Sequence, residues 1–335
     1  MGSHVNLNVN PKIDLRRLRL SRHTRDLVAD VVVSSKKLIQ PVFAVDGIKD
    51  REPVPTLTGV YRETRESLIR QTEADLERGV EKFILFGVPN EKAEKPAQFA
   101  FATDTIAALK RAFGHDLWLA VDVCLCSYTS HGHCGVIEGD HIDNGASVEI
   151  LAEAALAYAQ AGADCVAPSD MMDGRVGAIR SLLDSKGFEQ TVLLSYAAKF
   201  HSRFYGPFRA AADSAPKPQT LPETLKDRAT YQIDPASFRD ALQAAQRDAD
   251  EGADILMVKP GLPYLDVLYR LSQSIEKPFA VYEVSGEYGA IETMANQGLM
   301  RGPEAHCEAW TSFFRAGASM VLTYGARFAR EWLHT

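Results

Sequence analysis

The stretch Glu251-Gly-Ala-Asp-Ile-Leu-Met-Val258 decides the fold, because it joins the end of a helical pattern to a short apolar run through a glycine turn. Glycine is the expected residue just after a helix, since it adopts the left-handed conformation without a Cβ clash. The same arrangement returns at residues 77–86, 161–167 and 316–323. Short runs that are apolar on both faces are typical of parallel strands. The chain is therefore predicted to repeat a helix–turn–strand unit.

Eight such runs follow one another along the chain, at residues 38–45, 80–88, 117–125, 164–169, 192–198, 255–260, 279–285 and 320–325. Helical patterns separate them, for example Glu149–Gln160 and Ser237–Asp250. Eight parallel strands that alternate with helices predict an α/β fold of the (β/α)8 TIM-barrel type. A doubly wound open sheet is the alternative, but no glycine-rich phosphate loop follows the first strand.

Composition narrows the class of protein. The 335 residues carry a net charge of −7 without a basic block, which argues against nucleic acid as a partner. No apolar run reaches the roughly 18 residues of a membrane helix, and no signal peptide is recognised. Five cysteines, most of them clustered, do not resemble a disulfide framework. A cytoplasmic protein is therefore expected, with no membrane contact.

The first part of the chain precedes the first predicted strand and is rich in arginine. We predict an N-terminal arm over residues 1–35, which either docks on a neighbouring subunit or forms a solvated tail, and a barrel domain over residues 36–335. Residues 1–4, Met-Gly-Ser-His, are interpreted as the remnant of an expression tag and are set aside.

A candidate metal site follows the third strand. Cys124, Cys126 and Cys134 fall within eleven residues, together with His131 and His133. Three converging thiolates suit zinc, and three protein ligands leave a fourth position open, as in catalytic zinc sites. The alternative is two core cysteines on a strand and a third in a loop, without a metal. The C-x-C-x7-C spacing is not that of a common zinc finger.

Two lysines end neighbouring strands, Lys199 the fifth and Lys259 the sixth. Active-site groups of TIM barrels lie at these carboxyl ends, so both amines should enter the same barrel mouth. Apolar walls and a second nearby cation favour the neutral amine, which attacks carbonyl groups to form a Schiff base. Alternatively, one lysine pairs with a buried carboxylate and the other reaches solvent. Other strand ends carry Asp122, Ser169, Asp170, Ser285 and Tyr324.

Two arginines, Arg209 and Arg228, flank a polar, proline-containing stretch at residues 211–225. The length and composition of this stretch predict a lid over the site. The two guanidinium groups could grip a substrate carboxylate. The alternative is that both arginines are solvated or form structural salt bridges.

The sequence resembles the 5-aminolevulinate dehydratase family, also called porphobilinogen synthase, in its zinc-dependent class. The matching stretches are Asp122-Val-Cys-Leu-Cys-Ser-Tyr-Thr-Ser-His-Gly-His-Cys134, Val166-Ala-Pro-Ser-Asp-Met-Met-Asp-Gly-Arg175, Ser195-Tyr-Ala-Ala-Lys-Phe200, Phe204-Tyr-Gly-Pro-Phe-Arg209, Met257-Val-Lys-Pro-Gly-Leu-Pro-Tyr-Leu-Asp266 and Val284-Ser-Gly-Glu-Tyr288. They extend over nearly the whole chain, from about residue 12 to the C-terminus.

The resemblance implies a TIM barrel with an N-terminal arm in a homo-octamer. It implies condensation of two 5-aminolevulinate molecules to porphobilinogen with loss of two waters, a step of tetrapyrrole and haem biosynthesis. Lys259 would form the Schiff base with the first substrate, on the P-side, and Lys199 would serve the second, on the A-side. Cys124, Cys126 and Cys134 would hold one Zn2+ per subunit.

The resemblance also assigns the remaining site residues. Arg209, Arg228 and Gln232 would bind the A-side carboxylate, and Ser285 and Tyr324 the P-side carboxylate. Asp122 and Ser169 would serve proton transfer and orientation, and Tyr205 is counted among the substrate-binding residues.

Three departures from the family pattern stand out. Ser127 replaces a proline of many zinc-class members, so a less rigid cysteine loop is expected. The stretch between Arg209 and Arg228 is longer than usual. Residues 241–248 lack the glutamate that holds an allosteric magnesium in some bacterial members, so no second metal is expected.

Two rival functions remain open from the residues. A class I aldolase-like lyase would use one Schiff-base lysine and no metal. A non-catalytic zinc-binding barrel would hold zinc and form no imine. The other two cysteines, Cys165 and Cys307, are interpreted as core residues, and His201 and His306 as structural.

Overall fold

A computed structural model describes residues 15–55, 57–217 and 221–333 of the chain. In chain order its strands are β1 (Leu38–Val45), β2 (Glu52–Pro53), β3 (Tyr61–Glu63), β4 (Lys82–Val88), β5 (Trp118–Val123), β6 (Val136–Glu138), β7 (His141–Asp143), β8 (Cys165–Pro168), β9 (Val192–Lys199), β10 (Ile255–Lys259), β11 (Phe279–Tyr282) and β12 (Met320–Leu322). Its α-helices are α1 (Arg22–Leu27), α2 (Arg65–Glu77), α3 (Ala100–Phe113), α4 (Asn144–Gln160), α5 (Arg175–Ser185), α6 (Gly206–Ala211), α7 (Phe238–Asp250), α8 (Leu265–Ser274), α9 (Ser285–Asn296), α10 (Gly302–Arg315) and α11 (Ala329–Trp332).

Eight parallel strands close into a barrel. Their order is β1-β4-β5-β8-β9-β10-β11-β12, and β12 pairs with β1 again through Leu38 with Val321 and Ile39 with Leu322. The predicted TIM barrel is confirmed, and the open-sheet alternative is wrong because the sheet has no free edge between β12 and β1. Each of the eight predicted apolar runs coincides with one barrel strand, and β9 extends one residue beyond its run, to Lys199.

The repeated glycine turn has the backbone geometry that the sequence predicts. Gly79, Gly162, Gly252 and Gly317 each come directly after the C-cap residue of a helix and have a φ between 83° and 106°. This left-handed conformation ends the helix and returns the chain to the next strand, and a Cβ would strain it.

The barrel strands alternate between two apolar clusters, as the pleat requires. Inward residues fill the barrel interior and include Ile39, Phe43, Ile84, Phe86, Ala120, Cys165, Leu194, Tyr196, Met257 and Tyr282. Outward residues pack beneath the helices and include Leu85, Val121, Val166, Leu193, Leu256, Val258, Val281 and Val321. The interior is therefore packed along its length, and a reaction site has to lie at a mouth of the barrel.

Smaller elements complete the molecule. The antiparallel strands β2 and β3 extend the sheet beside β1, and β6 and β7 form a separate hairpin after the cysteine loop. Internal contacts divide the chain into residues 1–32 and 33–335. The described part of the first unit holds a 3-10 helix, Leu15–Arg19, and α1, which Ser21 caps at its N-terminus. Residues 1–4 lie outside the described residues.

No helix within the described ranges is both long enough and apolar enough to span a membrane.

Candidate active site and metal centre

The two lysines lie side by side at the carboxyl ends of β9 and β10, where the Cα atoms of Lys199 and Lys259 are register partners. They face the same way because β9 has one extra residue opposite the segment between Leu256 and Val258. Strict alternation from the inward Tyr196 would turn Lys199 outward, toward the helices. The bulge shifts the alternation by one residue and returns Lys199 to the barrel mouth.

Aromatic rings surround the amine of Lys259. Its Nζ atom lies 4.2 Å from the ring centre of Tyr282, 4.9 Å from those of Tyr196 and Phe208, and 5.5 Å from that of Tyr205. The lysine itself is 4% exposed. The amine is therefore held in a pocket of ring faces, which stabilise a cation less well than water does.

This pocket shifts the pKa of Lys259. Burial is the main cause and the charge of Lys199 the second, and together they lower the pKa of Lys259 to about 7, against the partial opposition of Asp122. An ordinary lysine has a pKa of about 10.4, so only about one amine in 2,500 is neutral at pH 7. With a pKa of about 7, about half of the Lys259 amines are neutral nucleophiles at that pH.

Lys199 and Asp122 have polar surroundings at the same mouth. Lys199 Nζ donates a hydrogen bond to the carbonyl oxygen of Ser169, at the end of β8. Burial raises the pKa of Asp122 to about 6, although Lys199 and a hydrogen bond from Ser169 lower it. The Oδ1 atom of Asp122 is buried without a hydrogen-bond partner among the described residues. This carboxyl group can therefore take up or release a proton near neutral pH.

The three cysteines predicted as metal ligands converge. The Sγ atoms of Cys124, Cys126 and Cys134 all lie within 4.8 Å of one another, and the first two are 3.3 Å apart. Hydrogen bonds from the other two thiols lower the pKa of Cys134 well below its usual value, whereas burial raises that of Cys124. Three buried sulfur donors at this spacing fit a tetrahedral zinc ion with one open position.

The neighbouring histidines hold the loop rather than extend the cluster. His133 Nδ1 lies 3.0 Å from the hydroxyl of Tyr231, and its Nε2 lies 2.8 Å from the carbonyl oxygen of Leu225. Its backbone N–H donates to Nδ1 of His131. In the part of the chain that the structure describes, only the cysteines form a group with metal-ligand spacing. The sequence did not single out Tyr231, whose hydroxyl also accepts from the backbone N–H of Cys134.

Two guanidinium groups lie near the cysteines. Arg228 is 3% exposed and donates to the carbonyl oxygens of Gly132, at 2.9 Å, and Ser214. Burial and the charge of Arg228 lower the pKa of Arg209, whose Nε atom has no partner among the described residues. Two neighbouring cations that pair with no carboxylate in the described ranges are suited to an incoming anion. Gln232 lies nearby in sequence, with both polar side-chain atoms buried and unpaired within the described ranges.

Ser285 and Tyr324 follow the paired strands β11 and β12. Ser285 opens α9, where the helix dipole favours a negative charge, and its Oγ accepts from the backbone N–H of Phe208 at 3.0 Å. Tyr324 accepts a hydrogen bond from the hydroxyl of Tyr282 at 3.2 Å. Since the ring of Phe208 also faces Lys259, these residues belong to the Lys259 side of the mouth.

Tyr205 contacts this site in a way that the sequence did not indicate. Its hydroxyl donates to the backbone carbonyl oxygens of Phe200 at 2.8 Å and Lys259 at 3.2 Å. The tyrosine therefore fixes the backbone at the lysine, and it presents its ring rather than its hydroxyl to the amine. The rings of Tyr196, Phe208 and Tyr282 were also missed, because the apolar pattern of a barrel strand does not reveal which inward residue lies beside a lysine.

The described part of the predicted lid lies on the cysteine loop. Ser127 Oγ donates to the carbonyl oxygen of Ala212 at 2.9 Å. The backbone N–H of Lys217 donates to the carbonyl oxygen of His131. Gly132 has a φ of +79°, and a Cβ there would lie 2.3 Å from the carbonyl oxygen of Ala215. Residues 218–220 of the predicted lid lie outside the described residues.

A cavity of about 910 Å³ opens beside this site. Its lining includes Tyr231, Gln232, Asp173 and Arg247, but neither lysine and none of the three cysteines. The cavity therefore adjoins the cysteine loop through Tyr231 and is separate from the amine pocket.

Comparison with known proteins gives a consistent match. Residues 12–332 fit the family model described as delta-aminolevulinic acid dehydratase. The Bacillus subtilis protein of that name is 39% identical over 322 residues, which cover 95% of this chain and 97% of the relative. The relative from Synechocystis is 40% identical over 331 residues, covering 96% and 99%. A crystal structure of delta-aminolevulinic acid dehydratase from Toxoplasma gondii, in complex with the reaction product porphobilinogen, is 41% identical with a TM-score of 0.90 and covers 95% of this chain and 91% of that chain.

Proposed function

The chain belongs to the delta-aminolevulinic acid dehydratase family, and we propose that it condenses two molecules of 5-aminolevulinate to porphobilinogen with loss of two waters. The single observation that carries the chemical part of the proposal is the register pairing of Lys199 with Lys259 beside the three-cysteine cluster. Two amines at one mouth match two ketone substrates, and a single-lysine aldolase has no use for the second amine or for the cysteines.

Lys259 captures the first substrate. Its neutral amine attacks the ketone carbon, both amine protons pass to the ketone oxygen, and the oxygen leaves as the first water. The imine that results withdraws electrons from the former ketone carbon and so prepares it for attack. The pKa of about 7 supports this role, because the nucleophilic form is abundant at neutral pH.

Lys199 serves the second substrate at the neighbouring position. Its neutral amine condenses with the second ketone in the same way, and that ketone oxygen leaves as the second water. The new carbon–carbon and carbon–nitrogen bonds then close the five-membered ring and release both lysine amines. The charges of Lys199 and Lys259 both lower the pKa of Asp122, so this carboxyl group interacts with both amines. With a pKa of about 6 and an unpaired Oδ1, Asp122 is suited to move protons during these steps. Ser169 orients Lys199 through its carbonyl oxygen.

Cys124, Cys126 and Cys134 would hold one Zn2+ ion per subunit. Zinc bound to three thiolates supplies a Lewis acid with an open position for a water or a substrate oxygen. The cluster is anchored by Tyr231, which contacts both His133 and the backbone of Cys134. This anchoring keeps the donor set together before the ion binds.

Two sites take the two substrate carboxylates. Arg209, Arg228 and Gln232 would bind the carboxylate of the second substrate, and the unpaired Nε of Arg209 and amide of Gln232 support this role. Ser285, at the start of α9, and Tyr324 would bind that of the first substrate. The aromatic ring of Tyr205 completes the wall of the Lys259 pocket.

The test is turnover of 5-aminolevulinate, read as a pyrrole with an acidic aldehyde colour reagent. Activity that disappears with a chelator and returns with Zn2+ is the expected result. Activity that is indifferent to chelation would retain the reaction and remove the metal from it. No pyrrole from folded, zinc-loaded protein would overturn the proposal.

A further inference from the structure

A buried polar cluster lies where β11 and β12 end, outside the residues assigned to the reaction so far. Its central members are Glu283, His306 and Thr323, all 0% exposed. Glu283 directly follows β11, Thr323 directly follows β12, and His306 lies on α10. A carboxylate with no access to water is destabilising unless every oxygen is paired, so this arrangement requires a reason.

Glu283 joins three elements through its side chain. Its Oε1 accepts from His306 Nδ1 at 3.0 Å, and its Oε2 accepts from Trp310 Nε1 at 3.0 Å and from the hydroxyl of Thr323 at 2.6 Å. Its backbone N–H donates to the carbonyl oxygen of Leu322. The end of β11 is therefore tied twice to the end of β12 and twice to α10.

The cluster sets one imidazole between two carboxyl groups. Burial opposes the charged imidazole, but hydrogen bonds to Glu283 and Glu292 raise the pKa of His306 to about 9. Its Nε2 lies 3.1 Å from the Oε1 atom of Glu292. Charge-assisted hydrogen bonds of this kind are more directional and stronger than neutral ones, so the cluster is a rigid joint rather than a loose contact.

The cluster is close in sequence to the two residues that are predicted to bind the carboxylate. Ser285 follows Glu283 by two residues, and Tyr324 follows Thr323 by one. The backbone N–H of Gly325 donates to the Thr323 hydroxyl, so the chain is fixed on both sides of Tyr324.

Side-chain packing also connects the cluster to Tyr324. The ring of Tyr288 stacks on His306 at 4.7 Å and meets Tyr324 edge-on at 5.6 Å. The position of the Tyr324 ring thus depends on the cluster through the backbone and through side-chain packing.

We propose that Glu283, Thr323 and His306 form a clamp that positions Ser285 and Tyr324 for the carboxylate of the substrate bound at Lys259. The clamp touches no substrate; its residues are positioning residues. The inference rests on the proposed function, because that function assigns Ser285 and Tyr324 to this carboxylate.

The experiment isolates binding at Lys259 from turnover. The probe is 4-oxopentanoate, a keto acid that has the ketone and carboxylate of the substrate and lacks its amine. Imine formation is trapped with cyanoborohydride, and the modified Lys259 peptide is quantified by mass spectrometry over a range of probe concentrations. The test variant is Thr323→Val, which keeps the shape and removes the hydroxyl, and the matched control is Thr323→Ser, which restores it.

Thr323→Val should raise the half-saturating probe concentration roughly tenfold and leave the trapping rate at saturation unchanged, because the amine itself is intact. Thr323→Ser should stay within about threefold of the native protein. Glu292→Gln, which alters the far side of His306, should lower the melting temperature without changing half-saturation. A purely structural role would move the melting temperature alone.

A second variant guards against loss of folding in Thr323→Val. Trp310→Phe removes one donor to Glu283 without touching either strand end, and it should raise half-saturation about threefold. Folded Thr323→Val or Trp310→Phe protein with native half-saturation would overturn the clamp. Absence of trapping at Lys259 in the native protein would instead refute the proposed function.

Discussion

Replacing Lys199 with methionine tests whether one lysine activates the other. The charge of Lys199 is the second cause of the low pKa of Lys259, so its removal should raise that pKa. Adjacent strands lie about 4.8 Å apart, and ammonium groups roughly 5–7 Å apart repel by about 2.4–3.3 kcal/mol at an effective dielectric constant of about 20. That energy corresponds to about two pH units.

The direction of the pH effect follows from the sign of this shift. A higher pKa means less neutral amine at pH 7, and a shift from about 7 to about 9 lowers the neutral fraction from about one half to about one hundredth. Imine formation at Lys259 should therefore be roughly 50-fold slower than in the native protein at pH 7 and nearly equal to it at pH 10. The variant is slower only because less of its Lys259 amine is neutral, so the rate difference should disappear at high pH, where the amine is neutral in both proteins.

The assay is the initial rate of cyanoborohydride trapping of 4-oxopentanoate at Lys259, taken as a ratio to the native protein at each pH. Lys199→Arg is the matched control, because it keeps the charge and removes the second nucleophile. The ratio for Lys199→Arg should stay constant with pH, whereas the ratio for Lys199→Met should rise from about one fiftieth at pH 7 toward one at pH 10. Identical pH profiles of this ratio for the two variants would refute electrostatic activation by Lys199.

Three further outcomes are expected. Cys124→Ala should lose bound zinc and most pyrrole formation while its circular dichroism stays native, whereas Cys307→Ala, outside the cluster, should keep its zinc and its activity. A fully active, metal-free Cys124→Ala protein would rule out the zinc site. Asp122→Asn should move the midpoint for trapping at Lys259 to lower pH, because the carboxylate raises the pKa of that lysine; a shift in the opposite direction would contradict the charge assignment. Ser127→Ala should remove a hydrogen bond of about 1 kcal/mol to Ala212 and speed limited proteolysis of the predicted lid, residues 211–225, at unchanged melting temperature. Equal proteolysis rates would show that this hydrogen bond does not hold the predicted lid in place.

The sequence contained enough information for the barrel and for the positions of both lysines. Parallel strands read as short apolar runs because both faces are buried, and the glycine turns mark where each helix ends. The carboxyl ends of the strands then define the reaction mouth, so the sequence alone indicates which residues lie there. This reasoning predicted Lys199, Lys259 and the three cysteines as neighbours.

Strand alternation by itself does not predict that Lys199 enters the mouth. Counting alternate residues from the inward Tyr196 places Lys199 on the outer face, and only the bulge in β9 turns it inward. A bulge is decided by the pairing of two strands and leaves no reliable mark on either strand alone. The same holds for the clamp, since Glu283 and His306 are 23 residues apart and neither belongs to a recognisable spacing.

The surroundings of the two amines differ enough to distinguish two identical substrate molecules. Lys259 lies among four rings with a pKa of about 7, whereas Lys199 donates to the carbonyl oxygen of Ser169. A ketone that enters the empty mouth therefore meets a free nucleophile at Lys259. Once that amine is converted to an imine, it no longer competes for the second ketone, which is left to Lys199 and the polar side of the mouth. On the proposed function, the order in which the two substrates are captured follows from this difference in environment. Because both residues are lysines, only a change in their surroundings could reverse that order.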